Sequence, residues 1–397
     1  MQEIRLFDYK ESFSILMDVK TEVAKGQVNK NDIQLSIIIP TFSRRGALLE
    51  AVDSVLFQDD CGFEYEIIVI NNDPNDRMLD IKDKYKDEAR VCLFYNSENI
   101  GPAANHDRGA LLALGKYIMF LHDDDILVRD SLKKWEKYIN NDNYKDIDCF
   151  YSCYYYTTAN KSVISNNTPG HLVQETHIRH IKRISSSLNN KEKIMNKSLY
   201  MFLYTIVSPH NLTPGCALYK RDSYLALGGM NPNILIYDLN LFLRALACKE
   251  FRMMYVPILS GIYRRTDTSA FVASYQRVSY EIMQNEMWIL TDKASPFLLR
   301  NAVRIKRFLM VNGYDRDIPK YLQQSLAKKY ALHIKANKTT LYYMYRKIMI
   351  FLSILLKVKC YRLTISENNI SALMQSEYNE RHMALDTIVC RQSGGIK

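Results

Sequence analysis

Apolar positions in the first two-thirds of the chain fall into short unbroken runs, separated by stretches with helical spacing. Residues 35–40, Leu-Ser-Ile-Ile-Ile-Pro, form a β-branched run closed by proline. The segment 46–58 that follows sets Leu48, Leu49, Val52, Val55 and Leu56 on one helical face. The alternation repeats with a strand over 66–70, an Asn/Asp/Pro turn, a charged helix around 79–85 and a strand over 91–95. A helix over 102–114 carries Pro102 early, where a missing N–H costs least, and a strand over 117–121 runs into His122-Asp123-Asp124-Asp125. Beyond it the pattern predicts a helix over 130–138, strands over 148–157 and 216–219, and a short helix to Leu227 before the turn Gly228-Gly229. A helix over 239–248 and strands over 253–256 and around Ile262 follow. Strands this apolar, alternating with helices, predict an α/β fold whose mostly parallel sheet is covered on both faces. Ligands of such sheets gather at the carboxyl ends of strands, and the acidic cluster occupies one of those ends.

The remainder breaks this rhythm. Residues 1–33 read as an amphipathic lead-in, and 159–212 as an irregular insertion on the acceptor side of the 34–270 domain. Residues 271–397 read as a helical C-terminal region. Within that region 341–363 has an apolar body edged by Arg346, Lys347, Lys357, Lys359 and Arg362. That combination suits an interfacial helix or one packed on the domain, and no stretch reaches the ~18 apolar residues of a membrane span.

Composition narrows the class. A formal charge of +10 suits nucleic acid, an anionic membrane or phosphate-bearing substrates without choosing among them. No basic–aromatic motif accompanies the charge, so nucleic acid is not an expected partner. Tyr outnumbers Phe by 28 to 15, which fits a groove for sugars and bases or a codon bias. The 8 Cys are isolated, with no CxxC pair, and fit a reducing cytoplasm. The N-terminus carries acids and lacks the apolar core of a signal peptide.

Three consecutive carboxylates at a strand end repel one another unless a cation sits among them, and Mn²⁺ or Mg²⁺ prefers such oxygen ligands. A solvated turn or a helix N-cap is the plainer reading of the same residues.

The order of motifs is more specific than any one of them. Ser36-Ile37-Ile38-Ile39-Pro40-Thr41, Ile67-Ile68-Val69-Ile70-Asn71-Asn72-Asp73, Asn99-Ile100-Gly101, Asn105 to Gly109, Gly115-Lys116-Tyr117 and Leu121 to Asp125 follow in sequence. Together they resemble the nucleotide-sugar-binding half of the family 2 inverting glycosyltransferases, over residues 34–270. The resemblance implies the GT-A fold, a Rossmann-like, mostly parallel sheet, here with a helical C-terminal extension. It implies that Pro40, Thr41 and Phe42 line the base and ribose, and that Asn71 and Asn72 stand where relatives carry paired Asp against the base edge. Asn both donates and accepts, so base reading survives while uracil preference is left open. Asn105 and Arg108 would lie near the nucleotide, Arg108 as a diphosphate contact or as a structural partner of an acid. Asp123 would face ribose, Asp124 would ligate Mn²⁺ or Mg²⁺, and Asp125 would add a further acid.

In the second half, Gly228-Gly229-Met230 leads to Tyr237-Asp238 before an apolar helix. The resemblance makes Asp238 the general base, with an N-cap as the alternative, and makes Arg264 and Arg265 the neutralisers of the leaving diphosphate. The expected activity is a metal-assisted inverting transfer from a nucleoside-diphosphate sugar, a UDP-sugar being favoured, to a glycan or lipid-linked acceptor. It would serve surface polysaccharide or glycolipid synthesis in the cytoplasm, with a membrane surface as a candidate peripheral contact. The alternative is a non-catalytic sugar-nucleotide-binding or scaffold protein on the same fold, kept open by Asn71, Asn72 and Tyr237.

Overall fold

A strand that is apolar along most of its length must find cover on both of its faces, and the central runs of this chain do so. The computed structural model describes residues 16, 18–28, 32–158, 181–183, 192–194, 215–232, 236–248, 250–265, 297, 300, 301, 303, 361–363 and 388–389. Strands β1 (Thr21–Lys25), β2 (Leu35–Thr41), β3 (Tyr65–Asn71), β4 (Val91–Asn96), β5 (Tyr117–Phe120) and β6 (Ile126–Leu127) come from the first half. Strands β7 (Cys149–Thr158), β8 (Lys193–Ile194), β9 (Gly215–Lys220) and β10 (Met253–Arg265) come from the second. All ten join one sheet in the order β1-β4-β3-β2-β5-β9-β7-β10-β8, with β6 paired to β10.

The strands β4, β3, β2 and β5 are mutually parallel, and their alternate residues part to opposite sides. Ile37, Ile39, Ile67 and Val69 enter one core with α1 (Arg45–Leu56), α2 (Leu79–Lys84) and α4 (Ser131–Ile139). Ile38, Ile68 and Ile70 enter the other with α3 (Pro102–Leu112), α5 (Arg221–Ala226) and α6 (Tyr237–Ala247). Trp135 of α4 and Phe242 of α6 are fully buried anchors of the two layers.

The second half of the sheet is mixed. β9 runs antiparallel to both β5 and β7, which leaves β7 parallel to β5, and β10 is parallel to β7. The two strands expected near 253 and 262 are one 13-residue strand, irregular in register between Tyr255 and Gly261. The lead-in also supplies sheet, because β1 pairs antiparallel with β4 as an edge strand. Of the C-terminal region expected to be helical, Tyr361–Leu363 and Ile388–Val389 are strands, pairing with Ile181–Arg183 and Gln27–Val28. The rest of the 341–363 segment, and most of the 159–212 insertion, lie outside the described residues. Among those described, no helix is long and apolar enough to cross a membrane.

Candidate active site

Strand order reverses at β2, which has β3 on one side and β5 on the other, so a crevice opens above their carboxyl ends. Thr41 closes β2, and His122-Asp123-Asp124-Asp125 follows β5. The two ends are joined: Leu121 N donates to Ile38 O at 3.0 Å, and Thr41 Oγ1 donates to Asp123 Oδ2 at 2.7 Å. Phe42, next in line, is 48% exposed, a large apolar ring left open beside this crevice. Pro40 is buried within β2, opposite Ile70.

The acidic loop is held from a third direction. β6 pairs with β10, and at the end of that strand Arg264 N donates to Asp125 Oδ1 at 2.8 Å. The Arg264 side chain donates to the Asp124 carbonyl and forms a buried ion pair with Glu50 of α1. Arg264 therefore clamps three elements together, while its buried Nη2 has no hydrogen-bond partner among the described residues. The side chain of Arg265 lies outside the described residues.

Asp123 and Asp124 are both buried. Burial raises the Asp123 carboxyl, Arg44 opposes the rise, and the charge of Asp124 adds to it. Burial and Asp124 likewise push Asp125 up to about 7, against His122 and Arg264. One cation already serves the cluster: Arg44, the residue preceding α1, reaches Asp123 Oδ1 at 3.0 Å and Asp124 Oδ2 at 3.1 Å through a single nitrogen, Nη1. One ring nitrogen of His122 and one oxygen each from Asp124 and Asp125 lie within 4.8 Å of one another. Two crowded carboxylates and an imidazole are a donor set that fits Mn²⁺ or Mg²⁺.

Facing this loop is the start of α6. Asp238 is exposed and accepts Leu239 N at 2.8 Å. It is the second helical residue, not the N-cap, which is Ile236. The bond meets one free N–H of the first turn and leaves the rest of the carboxylate toward solvent. Burial raises the Tyr237 phenol above its ordinary range, and the charges of Asp238, Asp124 and Asp123 raise it further, because it stands between Asp238 and the acidic loop. Its ring lies 5.1 Å from His106, which in turn lies 5.5 Å from His122 and 5.3 Å from Phe120. His106 Nδ1 is 2.7 Å from Pro102 O, and its buried Nε2 has no hydrogen-bond partner among the described residues. Burial, with His122 adding, lowers its pKa to about 3.

The turn before α6 is fixed by Asp107 of α3, which accepts from Tyr224 Oη at 2.5 Å and from Met230 N at 3.0 Å. Gly229 adopts φ +65° there, and a Cβ on it would lie 2.5 Å from the Asp107 carboxylate.

Several residues with site-like sequence signals spend their polar atoms on each other. Asn71 donates to Asp76 O at 2.8 Å and accepts from Asp73 N at 3.1 Å, shaping its own turn. Asn72 accepts from Asn96 Nδ2 at 3.1 Å and from Ile100 N at 3.0 Å, and donates to Asn99 at 2.7 Å. Asn105 accepts from Asn96 at 2.8 Å and donates to Ile70 O at 3.0 Å. This amide ladder sets the carboxyl ends of β3 and β4. Arg108 donates to the carbonyls of Leu16 and Val19, so of its two expected roles it takes a structural one, with backbone carbonyls in place of an acid. The sequence reading passed over Arg44, His106 and the ligand capacity of His122. An Arg just past a strand reads as surface turn, and a His inside a helix as packing.

Comparisons with known proteins agree with this architecture. Residues 36–228 match the family described as Glycosyl transferase family 2. An uncharacterized glycosyltransferase of Rickettsia conorii is 34% identical over 114 residues, 29% of this chain and 18% of the relative. The GalNAc(5)-diNAcBac-PP-undecaprenol beta-1,3-glucosyltransferase of Campylobacter jejuni is 34% identical over 100 residues, 25% of this chain and 32% of the relative. These matches span a third or less of the relatives' own length. Residues 1–349 of S. aureus TarS, solved in complex with UDP-GlcNAc, superpose with a TM-score of 0.51 at 15% identity, covering 79% of this chain and 92% of that one.

Proposed function

Because residues 36–228 form a glycosyltransferase family 2 domain on the GT-A fold, we infer that the chain transfers a sugar from a nucleoside-diphosphate donor with inversion. The observation that carries the reading is the meeting of Thr41, Asp123, Asp124 and Asp125 at the reversal of strand order, opposite Tyr237-Asp238. The acceptor hydroxyl attacks the anomeric carbon as the bond to the diphosphate oxygen breaks, and its proton passes to Asp238. Exposure of that carboxylate suits a base that must meet an incoming glycan. Phe42 and Thr41 border the nucleoside, and Asp123, fixed by Thr41, is presented to ribose. His122, Asp124 and Asp125 would hold Mn²⁺ or Mg²⁺, which when bound neutralises charge on the departing diphosphate.

A UDP-sugar is the favoured donor, and a glycan or lipid-linked acceptor in polysaccharide or glycolipid assembly the favoured class. The S. aureus neighbour's UDP-GlcNAc complex and the undecaprenol-linked substrate named for the C. jejuni relative support these choices. A basic chain with pI near 9.0, working in the cytoplasm against an anionic membrane face, suits a lipid-linked acceptor.

The test is Asp238→Asn, assayed after a thermal-shift screen of nucleoside-diphosphate sugars with and without Mn²⁺. Loss of a general base should lower kcat by about 10²–10⁴-fold, with near-normal melting and donor affinity. Wild-type transfer by the variant would remove Asp238 from the mechanism. A wild-type chain that binds donor yet neither transfers nor hydrolyses it would support the sugar-nucleotide-binding alternative.

A further inference from the structure

Arg44 stands where a cation belongs. Its Nη1 lies 3.0 Å from Asp123 Oδ1 and 3.1 Å from Asp124 Oδ2, bridging the carboxylate turned to ribose and the one turned to metal. Burial lowers its proton affinity, but the charges of Asp123 and Asp124 outweigh that and hold the guanidinium firmly charged. A divalent ion on Asp124 would sit about 2.0–2.6 Å from carboxylate oxygen. Two positive centres on one buried carboxylate repel strongly, so guanidinium and metal compete for Asp124.

Arg44 has somewhere else to go. It precedes α1 beside Thr41 and Phe42, and its side chain is 28% exposed. A diphosphate arriving with the metal offers it a bidentate partner of the opposite sign. Among the described side chains at the acidic loop, Arg264 is buried and held through Nε and Nη1 by the Asp124 carbonyl and Glu50, so Arg44, the more exposed guanidinium, is the one placed to make the exchange.

We propose that Arg44 is an internal counter-cation that metal must displace from Asp124, and that the donor diphosphate takes it up, so that metal and donor bind as a coupled pair. This rests on the glycosyltransferase reading of the site. Without donor, Arg44 keeps the acids neutralised and metal binds weakly. With donor, the competitor becomes a ligand of the phosphate, and each partner raises the affinity for the other by the same factor.

The experiment is Mn²⁺ titration of the full chain, followed by electron paramagnetic resonance, alone and with saturating UDP or GDP. Wild type, Arg44→Met and Arg44→Lys are compared, with melting curves to confirm folding. Removing the competitor should tighten Mn²⁺ binding in the absence of nucleotide by on the order of tenfold or more. It should also shrink the nucleotide–metal coupling toward one, whereas Arg44→Lys, which keeps the charge, should stay near wild type. A purely structural arginine predicts the opposite sign, weaker Mn²⁺ binding on its loss. Unchanged or weaker binding of Mn²⁺ alone by folded Arg44→Met, or equal affinity of the wild type for Mn²⁺ with and without nucleotide, overturns the proposal. Failure of the wild type to bind Mn²⁺ or nucleotide at all would count instead against the functional reading beneath it.

Discussion

His106 combines a buried ring, one bonded nitrogen and a pKa lowered to about 3, and its stability consequence has a definite sign. The unfolded chain takes up this proton near pH 6.5 and the folded chain does not until far lower, so the unfolded state binds more protons across that window. Stability should hold above pH 6.5 and fall by about 1.4 kcal/mol per pH unit through the window beneath it. Melting of His106→Gln against wild type from pH 7.5 to 4.5 should show a shallower acid slope in the variant. Parallel slopes would detach the effect from His106. At Asp124 a neutral amide is a poorer ligand for a hard cation, so Asp124→Asn should lose the Mn²⁺ dependence of donor binding, read by titration with and without the ion. Retained dependence would exclude it as a ligand. The acids were legible in the sequence because crowded carboxylates after an apolar run have few uses. The bonds of Asn72 and Asn105 to Asn96, and of Asn71 within its own turn, were not legible, because an amide engaged within the fold looks the same in one dimension as one that reads a base.

The turn that aims α6 depends on a glycine with two constraints at once. Gly229 has positive φ, and its missing Cβ leaves the space that Asp107 fills. Gly229→Ala adds backbone strain of about 1–2 kcal/mol and an overlap with a carboxylate that cannot retreat without losing Tyr224 and Met230. It should lower the denaturant midpoint and reduce turnover through Asp238. Gly101→Ala, whose Cβ meets nothing within 4 Å, should cost only the backbone strain. Where strands were read correctly, as for Leu35–Thr41 and Tyr65–Asn71, burial on both faces had made the central positions apolar, with the buried Ser36 and Glu66 satisfied by each other. β1 escaped because Thr-Glu-Val-Ala-Lys is half-buried at a sheet edge and carries the charges that edges use against aggregation. β10 was divided in two by Pro257 and Gly261, whose interruption the sheet absorbs as irregular register.

Across the molecule, two cores lie on opposite faces of one sheet, and the crevice above β2 and β5 draws residues from both. Thr41 and Arg44 come from the α1 side, and Tyr237 with Asp238 from the α6 side. Donor and metal together should therefore stabilise the whole fold, by about 2.7 kcal/mol at a hundredfold excess over Kd, while metal alone does far less. Equal thermal shifts with Mn²⁺ alone and with Mn²⁺ plus nucleotide would contradict this.

The antiparallel placement of β9 beside β7 has a consequence for engineering. Thr158 and Gly215 bound the stretch between them, and because β7 runs parallel to β5 the chain departs and returns on the side of the acidic loop. That stretch is nonetheless sewn back into the sheet, because Lys193–Ile194 is β8 and Glu192 accepts from Tyr138 and Tyr144. Exchanging all of 159–214 should therefore lower the melting temperature, and a graft that keeps residues 192–194 should lower it less.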